Sequence, residues 1–355
     1  MKIHNFGAGP CILPQSVFQQ AAQAVLDLDH SGLSILEISH RSAAFDGILA
    51  ETKALVKELL GVPDGYHILF LQGGASLQFG MVPMNLLPEA GMAAYLDTGV
   101  WSKKAIKEAK LFGKVEVVAS SSDRNYSYVP KSFDVPADAS YFHITTNNTI
   151  YGTELFEVPE ITVPLVADMS SDIFSRAINV ADFDLIYAGA QKNMGPAGAT
   201  LVIIKEELLG KSGRQLPSML DFAVHVKNDS LYNTPPVFAI YTSMLNLRWL
   251  KEQGGVPAME ALNKQKAETL YAEIDRNPLF TGNVAVEDRS RMNITFTAID
   301  AETEQAFLTL CKESGIHGLK GHRLSGGFRA SMYNALPLES VEYLVAQMQA
   351  FKAAR

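Results

Sequence analysis

The run Tyr187-Ala-Gly-Ala-Gln-Lys-Asn-Met-Gly-Pro-Ala-Gly198 decides how this chain is read. An apolar, strand-like segment, 183–188, delivers Lys192 into a loop of glycines and small residues, and an apolar run at 200–204 follows. Between Asp184 and Lys205, Lys192 carries the one charged side chain. An amine held among small uncharged neighbours is poorly solvated, which lowers its pKa and makes it available as a nucleophile. By itself the run also fits an exposed lysine beside a glycine turn. Asp168 supplies a second signal. It ends another apolar run, 161–167, and precedes Met169-Ser-Ser171. A strand-end aspartate together with a strand-end lysine is what a pyridoxal phosphate site requires.

Working outward from this pair, residues 16 to 205 alternate short apolar runs with amphipathic stretches. Helices are expected over 16–28 and 43–60, the second stopped by Gly61. A strand at 67–71 leads to Gly73-Gly74-Ala75-Ser76 and a helix; a strand at 93–96 leads to a helix at 101–112. Further strands are expected at 115–119, 141–145, 163–167, 185–188 and 200–204. Several are apolar throughout, which suits a sheet covered on both faces, and the β-α-β-α order implies a largely parallel α/β sheet. The C-terminal third reads as α+β. Helices are expected at 237–253 and 256–275, strands at 284–286 and 293–297, a helix at 302–314, strands at 316–319 and 328–331, and a last helix from 338. The organisation expected is an N-terminal arm (1–15), a large domain (16–255) and a smaller C-terminal domain (256–355). The segment 216–236, with Asn233-Thr-Pro-Pro236, has little periodicity and reads as an ordered loop or a partner-contacting arm.

Composition limits the alternatives. The chain has 355 residues, enough for about two domains, and 47% are apolar and 19% charged. That composition supports a large core and not a disordered chain. A net charge of −8 argues against nucleic-acid or membrane-surface binding. The two cysteines, Cys11 and Cys311, form no metal-type pair. The opening residues contain no apolar signal region, and no stretch approaches the ~20 apolar residues of a membrane span. A soluble cytoplasmic protein is expected.

Several further features converge on one site. Gly73-Gly74 at a helix start lets backbone amides approach an anion. It lacks both the lysine of a P-loop and the spacing of a dinucleotide site, so a single phosphate monoester is the better guess. Trp101, after Asp97-Thr-Gly-Val100, could stack on an aromatic ring or sit in the core. Thr149 and Gln191 are candidate ring or phosphate contacts. Asp168 would pair with a pyridine nitrogen; Lys192 would form the Schiff base and shuttle the substrate Cα proton. His40-Arg41, His322-Arg323 and Arg329 suggest a doubly anionic small substrate.

The lysine run, Phe6-Gly-Ala-Gly-Pro10, Glu37-Ile-Ser-His-Arg41, Gly73-Gly-Ala-Ser-Leu-Gln-Phe79, Tyr232-Asn-Thr-Pro-Pro236, Gly321-His-Arg323 and Gly326-Gly-Phe-Arg329 together resemble the phosphoserine aminotransferase family over nearly the whole chain. The resemblance implies a fold-type-I, class-V pyridoxal 5'-phosphate enzyme acting as a homodimer with shared active sites. It implies conversion of 3-phosphohydroxypyruvate and L-glutamate to O-phospho-L-serine and 2-oxoglutarate in serine biosynthesis. By motif match Lys192 carries the cofactor, Asp168 faces the ring nitrogen and Trp101 stacks on the ring. Ala75, Ser76, Thr149 and Gln191 contact the cofactor, while Asn233 and Thr234 reach its phosphate from the other subunit. Arg329 holds the substrate α-carboxylate; His40, Arg41, His322 and Arg323 hold the distal anion, some of them across the interface. Where some members carry an arginine, this chain has Ser76. Whether it also forms 4-phosphohydroxy-L-threonine for pyridoxine biosynthesis stays open. The rival readings are a small-substrate aminotransferase such as an alanine–glyoxylate enzyme, a cysteine desulfurase, or a non-catalytic pyridoxal phosphate binder.

Overall fold

The computed structural model describes residues 2–355. The chain opens with β1 (His4–Asn5), α1 (Gln15–Leu26) and α2 (Ala43–Leu60). Then come β2 (Tyr66–Leu71), α3 (Gly74–Leu86), β3 (Met92–Asp97), α4 (Val100–Ala109) and β4 (Lys114–Ser120). Next are β5 (Phe142–Thr145), β6 (Leu165–Asp168), β7 (Leu185–Gly189) and β8 (Thr200–Lys205). Helices α5 (Phe222–Lys227), α6 (Val237–Glu252) and α7 (Gly255–Arg276) lead to β9 (Phe280–Gly282) and β10 (Asn293–Ala298). The chain closes with α8 (Ala301–Glu313), β11 (Ile316–His317), β12 (Phe328–Ser331) and α9 (Leu338–Ala353).

Local chemistry fixes the helix ends. The Ser42 hydroxyl accepts the Phe45 amide at the start of α2, and Gly61 ends it at φ 64°, a left-handed conformation that glycine adopts without strain. The α2 residues Phe45, Ile48, Leu49, Leu55, Val56 and Leu60 are buried on one face. Full burial of such side chains stabilises by roughly 1.5–3 kcal/mol each.

Seven strands form the central sheet in the order β2-β8-β7-β6-β5-β3-β4. Neighbours β7-β6-β5-β3-β4 are parallel, and β8 alone runs against its two neighbours. Both faces are covered. One packs with α1, α2 and α6, the other with α3 and α4. This is the mostly parallel α/β sheet that the apolar strand runs predict. From β3 the chain moves outward to β4 and then crosses back to β5 on the other side. Loops after β3 and β5 therefore diverge, opening a crevice at the carboxyl ends of the strands.

A separate core gathers α7, α8, α9 and the antiparallel β12-β10-β9 sheet. The N-terminal segment joins it: β1 pairs in parallel with β11, and Phe6 is buried in that core. Two expectations need correction. No strand forms at 284–286, where Val286 is exposed and starts a 3₁₀ turn; the strand is Phe280–Gly282, whose Phe280 packs in the core and pairs with Ala298. The segment 216–236 contains a short helix, Phe222–Lys227, started by the Asp221 side chain accepting the Ala223 amide. No helix among the described residues is long and apolar enough to cross a membrane.

Candidate active site

The carboxyl ends of β2, β3, β5, β6 and β7 each deliver one part of a single cavity of about 310 Å³. β2 leads to Gly73 and Gly74, at φ 86° and 65°, and α3 starts there with no side-chain cap. A Cβ on Gly73 would lie 2.5 Å from the Leu77 side chain, so the turn excludes larger residues. The first amides of α3, from Ala75 and Ser76, are left for an anion, and the helix dipole favours one. β3 leads to Trp101, which lines the cavity; its indole Nε1 is buried without a partner. Lys104 Nζ lies over the Trp101 ring, 4.5 Å from its centroid.

β5 supplies Thr145, Asn147 and Thr149, and β6 supplies Asp168, Ser170 and Ser171. Asp168 Oδ1 accepts the Ser170 amide at 2.9 Å. Burial raises the Asp168 pKa, opposed by the Ser170 bonds, the Lys192 charge and the Tyr187 hydroxyl. An aspartate so enclosed needs a cationic partner in the cavity to stay ionised at little cost.

β7 ends at Gly189, and the lysine loop is clamped on three sides. The Ala190 amide bonds Ala199 O and the Gly195 amide bonds Ala190 O. Asn246 of α6 donates to the carbonyls of Asn193 and Met194, and Asn193 Oδ1 accepts the Asn334 amide. Cys11 in turn donates its amide to Gln191 O and its thiol to Lys192 O. Gly195 lies against α6, where a Cβ would come 2.3 Å from Ser243 Oγ. Lys192 Nζ donates to Thr149 Oγ1 at 2.6 Å. Burial lowers the Lys192 pKa to about 8; the Asp168 charge opposes the shift and the Arg329 charge adds to it. The amine is thus still mostly protonated at neutral pH, but its neutral, nucleophilic fraction is far larger than that of a free lysine.

Arg329 of β12 reaches the same residue from the other side, Nη1 donating to Thr149 O at 3.1 Å. It forms no ion pair with a carboxylate among the described residues, and its Nε is buried without a partner. His322 lines the mouth; burial and then the Arg329, Arg323 and Lys104 charges lower its pKa.

The cavity therefore brings together Ala75, Ser76, Trp101, Thr149, Asp168, Gln191, Lys192, His322 and Arg329. It does not include His40, Arg41, Asn233, Thr234 or Arg323. His40 and Arg41 lie in the turn before α2, and Asn233 Nδ2 donates to Gln72 Oε1 at 3.1 Å. Sequence reasoning missed Thr145, Asn147, Ser170 and Ser171. Thr145 was within reach, because it ends a strand just as Asp168 does.

A planar phosphorylated pyridine suits this lining. An unpaired arginine, an orphaned indole N–H, the free Thr145 hydroxyl, an amide-rich helix start and a buried carboxylate opposite an amine are each incomplete alone. Pyridoxal phosphate has a complement for three of these features, a phosphate for the helix start, a ring nitrogen for Asp168 and an aldehyde for Lys192, and leaves Arg329 for a substrate carboxylate.

The chain belongs to the class-V aminotransferases, whose family description (Aminotransferase class-V) matches residues 3–344. These enzymes use pyridoxal phosphate. Within that family its relatives are phosphoserine aminotransferases. The enzyme of that name from Flavobacterium psychrophilum is 60% identical over 350 residues, 98% of either chain. A phosphoserine aminotransferase structure from Bacillus circulans subsp. alkalophilus superposes with a TM-score of 0.97 at 47% identity, covering 100% of this chain and 99% of that one. A pyridoxal-phosphate-bound phosphoserine aminotransferase from Trichomonas vaginalis superposes at 0.93 with 39% identity, covering 98% and 100%.

Proposed function

We infer that the protein transfers the amino group of L-glutamate to 3-phosphohydroxypyruvate, giving O-phospho-L-serine and 2-oxoglutarate for serine biosynthesis. The observation that carries this reading is the enclosed Lys192 amine, sharing with Asp168 a cavity into which Arg329 reaches without a carboxylate partner. When bound, pyridoxal phosphate supplies an electron sink for the bond broken at the substrate Cα. The residues do the rest. The first amides of α3 would hold its phosphate, with Asn233 and Thr234 of a partner subunit reaching it from the other side. Asp168 would face the ring nitrogen and Trp101 would pack on the ring. Lys192 Nζ would hold the cofactor through its aldehyde carbon and is placed to move the proton at the substrate Cα. The Thr149 hydroxyl keeps Nζ in place.

Glutamate and the phosphorylated keto acid share an α-carboxylate and differ in the distal anion. Arg329, deep in the cavity and lacking a carboxylate partner, takes the shared carboxylate; His322 and Arg323 at the mouth, with His40 and Arg41, take the distal anion. Arg329→Gln is expected to raise KM for both substrates by about 10- to 100-fold, the cost of one charge-assisted contact, with a smaller fall in kcat. A steady-state comparison in which KM stays at the wild-type value would remove Arg329 from this role.

His40, Arg41, Asn233 and Thr234 lie outside the cavity of their own chain, and Phe18, Leu33, Leu36, Met219 and Tyr232 are exposed. Both observations support a homodimer in which these residues complete a partner's site. Mixing an Arg41→Ala chain with a Lys192→Ala chain should then regain activity that neither has alone, because one hybrid site holds both intact groups. No recovery after verified subunit exchange excludes sharing.

The direct test of the function is spectroscopic. The loaded protein should absorb in the visible region, lose that band on glutamate alone and regain it with 3-phosphohydroxypyruvate. No response to glutamate overturns the assignment.

A further inference from the structure

Asp168 is bonded to more than its own loop. In the parallel β6-β7 pair it stands opposite Tyr187, so the two side chains emerge on the same face of the sheet. The Tyr187 side chain lies beside Asp168, and its hydroxyl is among the groups that lower the Asp168 pKa. It also lies 2.8 Å from His143 Nε2 on β5. Tyr187 is 0% and His143 1% exposed. The Tyr95 ring stacks on His143 at 4.8 Å, while the Tyr95 hydroxyl is engaged with that of Tyr141 at 2.7 Å. His143 Nδ1 is buried and has no partner. Lys192, Asp172 and Arg329 are the other charged groups around Asp168 and the amine it faces.

This chain has a definite polarity. A phenol has one proton to give. Between a carboxylate and a neutral imidazole it gives it to the carboxylate, because a charge-assisted hydrogen bond is about twice as strong as a neutral one. The Tyr187 oxygen can then only accept, so His143 Nε2 must carry a hydrogen. Nδ1 is left as an unfilled acceptor. The opposite tautomer would bury an N–H without a partner, the costlier omission. Burial lowers the His143 pKa to about 3, so the ring stays neutral at working pH.

We propose that Tyr187 and His143 are positioning residues for Asp168. His143 Nε2–H fixes the Tyr187 hydroxyl, and Tyr187 O–H holds the Asp168 carboxylate ionised and aimed at the ring nitrogen of the bound cofactor. The proposal rests on the role given to Asp168 above.

The test follows the visible absorption of the loaded enzyme across pH. Without the Tyr187 hydroxyl, Asp168 becomes more basic and draws the proton off the ring nitrogen. Electron withdrawal from Lys192 Nζ then weakens, and Nζ keeps its proton to higher pH. Tyr187→Phe should raise the titration midpoint by about one pH unit, weaken cofactor binding measured by fluorescence about tenfold, and lower kcat about tenfold with KM within about twofold. His143→Phe keeps the stacked ring and should shift the midpoint the same way by less. His143→Gln places an amide N–H near the position of Nε2 and should return the midpoint to that of the wild type. In the loaded wild-type protein, nitrogen-15 correlation spectra should show His143 protonated at Nε2. A midpoint unmoved in Tyr187→Phe, equal midpoints for His143→Phe and His143→Gln, or a proton on Nδ1 would each overturn the proposal. If Tyr187→Phe does not fold, the His143 pair and the wild-type spectrum still decide it. A variant that still responds to glutamate but shows no shift sinks this proposal alone, and leaves the assigned reaction standing.

Discussion

Lys192→Ala is expected to lose at least about a thousandfold in turnover, the combined contribution of a covalent attachment and a proton shuttle, while the chain stays folded. The amine is enclosed, and its one hydrogen bond among the described residues goes to Thr149. Its pKa, lowered to about 8 from 10.5, means that burial penalises the charged form. The sign follows from linkage. Between about pH 8 and 10.5 the unfolded chain holds a proton that the folded chain has released, so wild-type stability rises with pH across that window. Below it the buried charge is a constant penalty of about 3 kcal/mol at most. Removing the amine relieves that penalty but leaves Asp168 without a cation. The apo variant at pH 7 should therefore unfold within about 2 kcal/mol of the wild type. Denaturant titration of the apo proteins, read beside the visible spectrum and the transamination rate, checks both halves. A folded variant that keeps its band and its rate would end the assignment of Lys192.

Asp168→Asn should lower kcat by about 10²- to 10⁴-fold, since a neutral amide cannot hold the ring nitrogen protonated. The oxygen of the substituted side chain can still accept the Ser170 amide, so the loop is not disturbed. The Asp168 pKa is raised by burial. An acid raised on folding costs stability above its folded pKa, and the cost fades as pH falls through that value. At neutral pH the apo variant is therefore expected to unfold at the same temperature as the wild type or higher, while cofactor affinity and kcat fall together. Calorimetry of the apo form and single-turnover rates with glutamate separate these effects. Wild-type kcat in Asp168→Asn would show that the carboxylate plays no part in the chemistry.

Most of the large sheet was legible in the chain. The apolar runs that end at Ala167 and Ala188 have no polar face to turn to water, so each had to lie in a sheet covered on both sides. The glycine turn at 73–74 was legible for a steric reason, because only glycine adopts those two backbone conformations without strain. The C-terminal part was less so. Val284 and Val286 resemble a strand in isolation, yet Phe280 wins the pairing because it fills the aromatic cluster of Phe296, Phe307 and Phe328. Periodicity over three residues cannot express that preference.

The same division holds in the site. The chain alone shows a lone lysine just past one apolar strand and an aspartate at the end of another, because strand ends and glycine loops are written locally. It also determined that two His-Arg pairs and Arg329 were available for anions. Which cations meet the lysine depends on the folded arrangement. Thr149 joins Lys192 and Arg329, which lie 137 residues apart, by one side-chain and one backbone bond, whereas His40 and Arg41 stay outside the cavity. The structure alone also placed Tyr187 and His143 behind Asp168, since their contact depends on the register of three parallel strands and not on any spacing along the chain. Local chemistry sets what each segment can form. Which side chains share a cavity, and which carry a proton there, is set by strand order and burial.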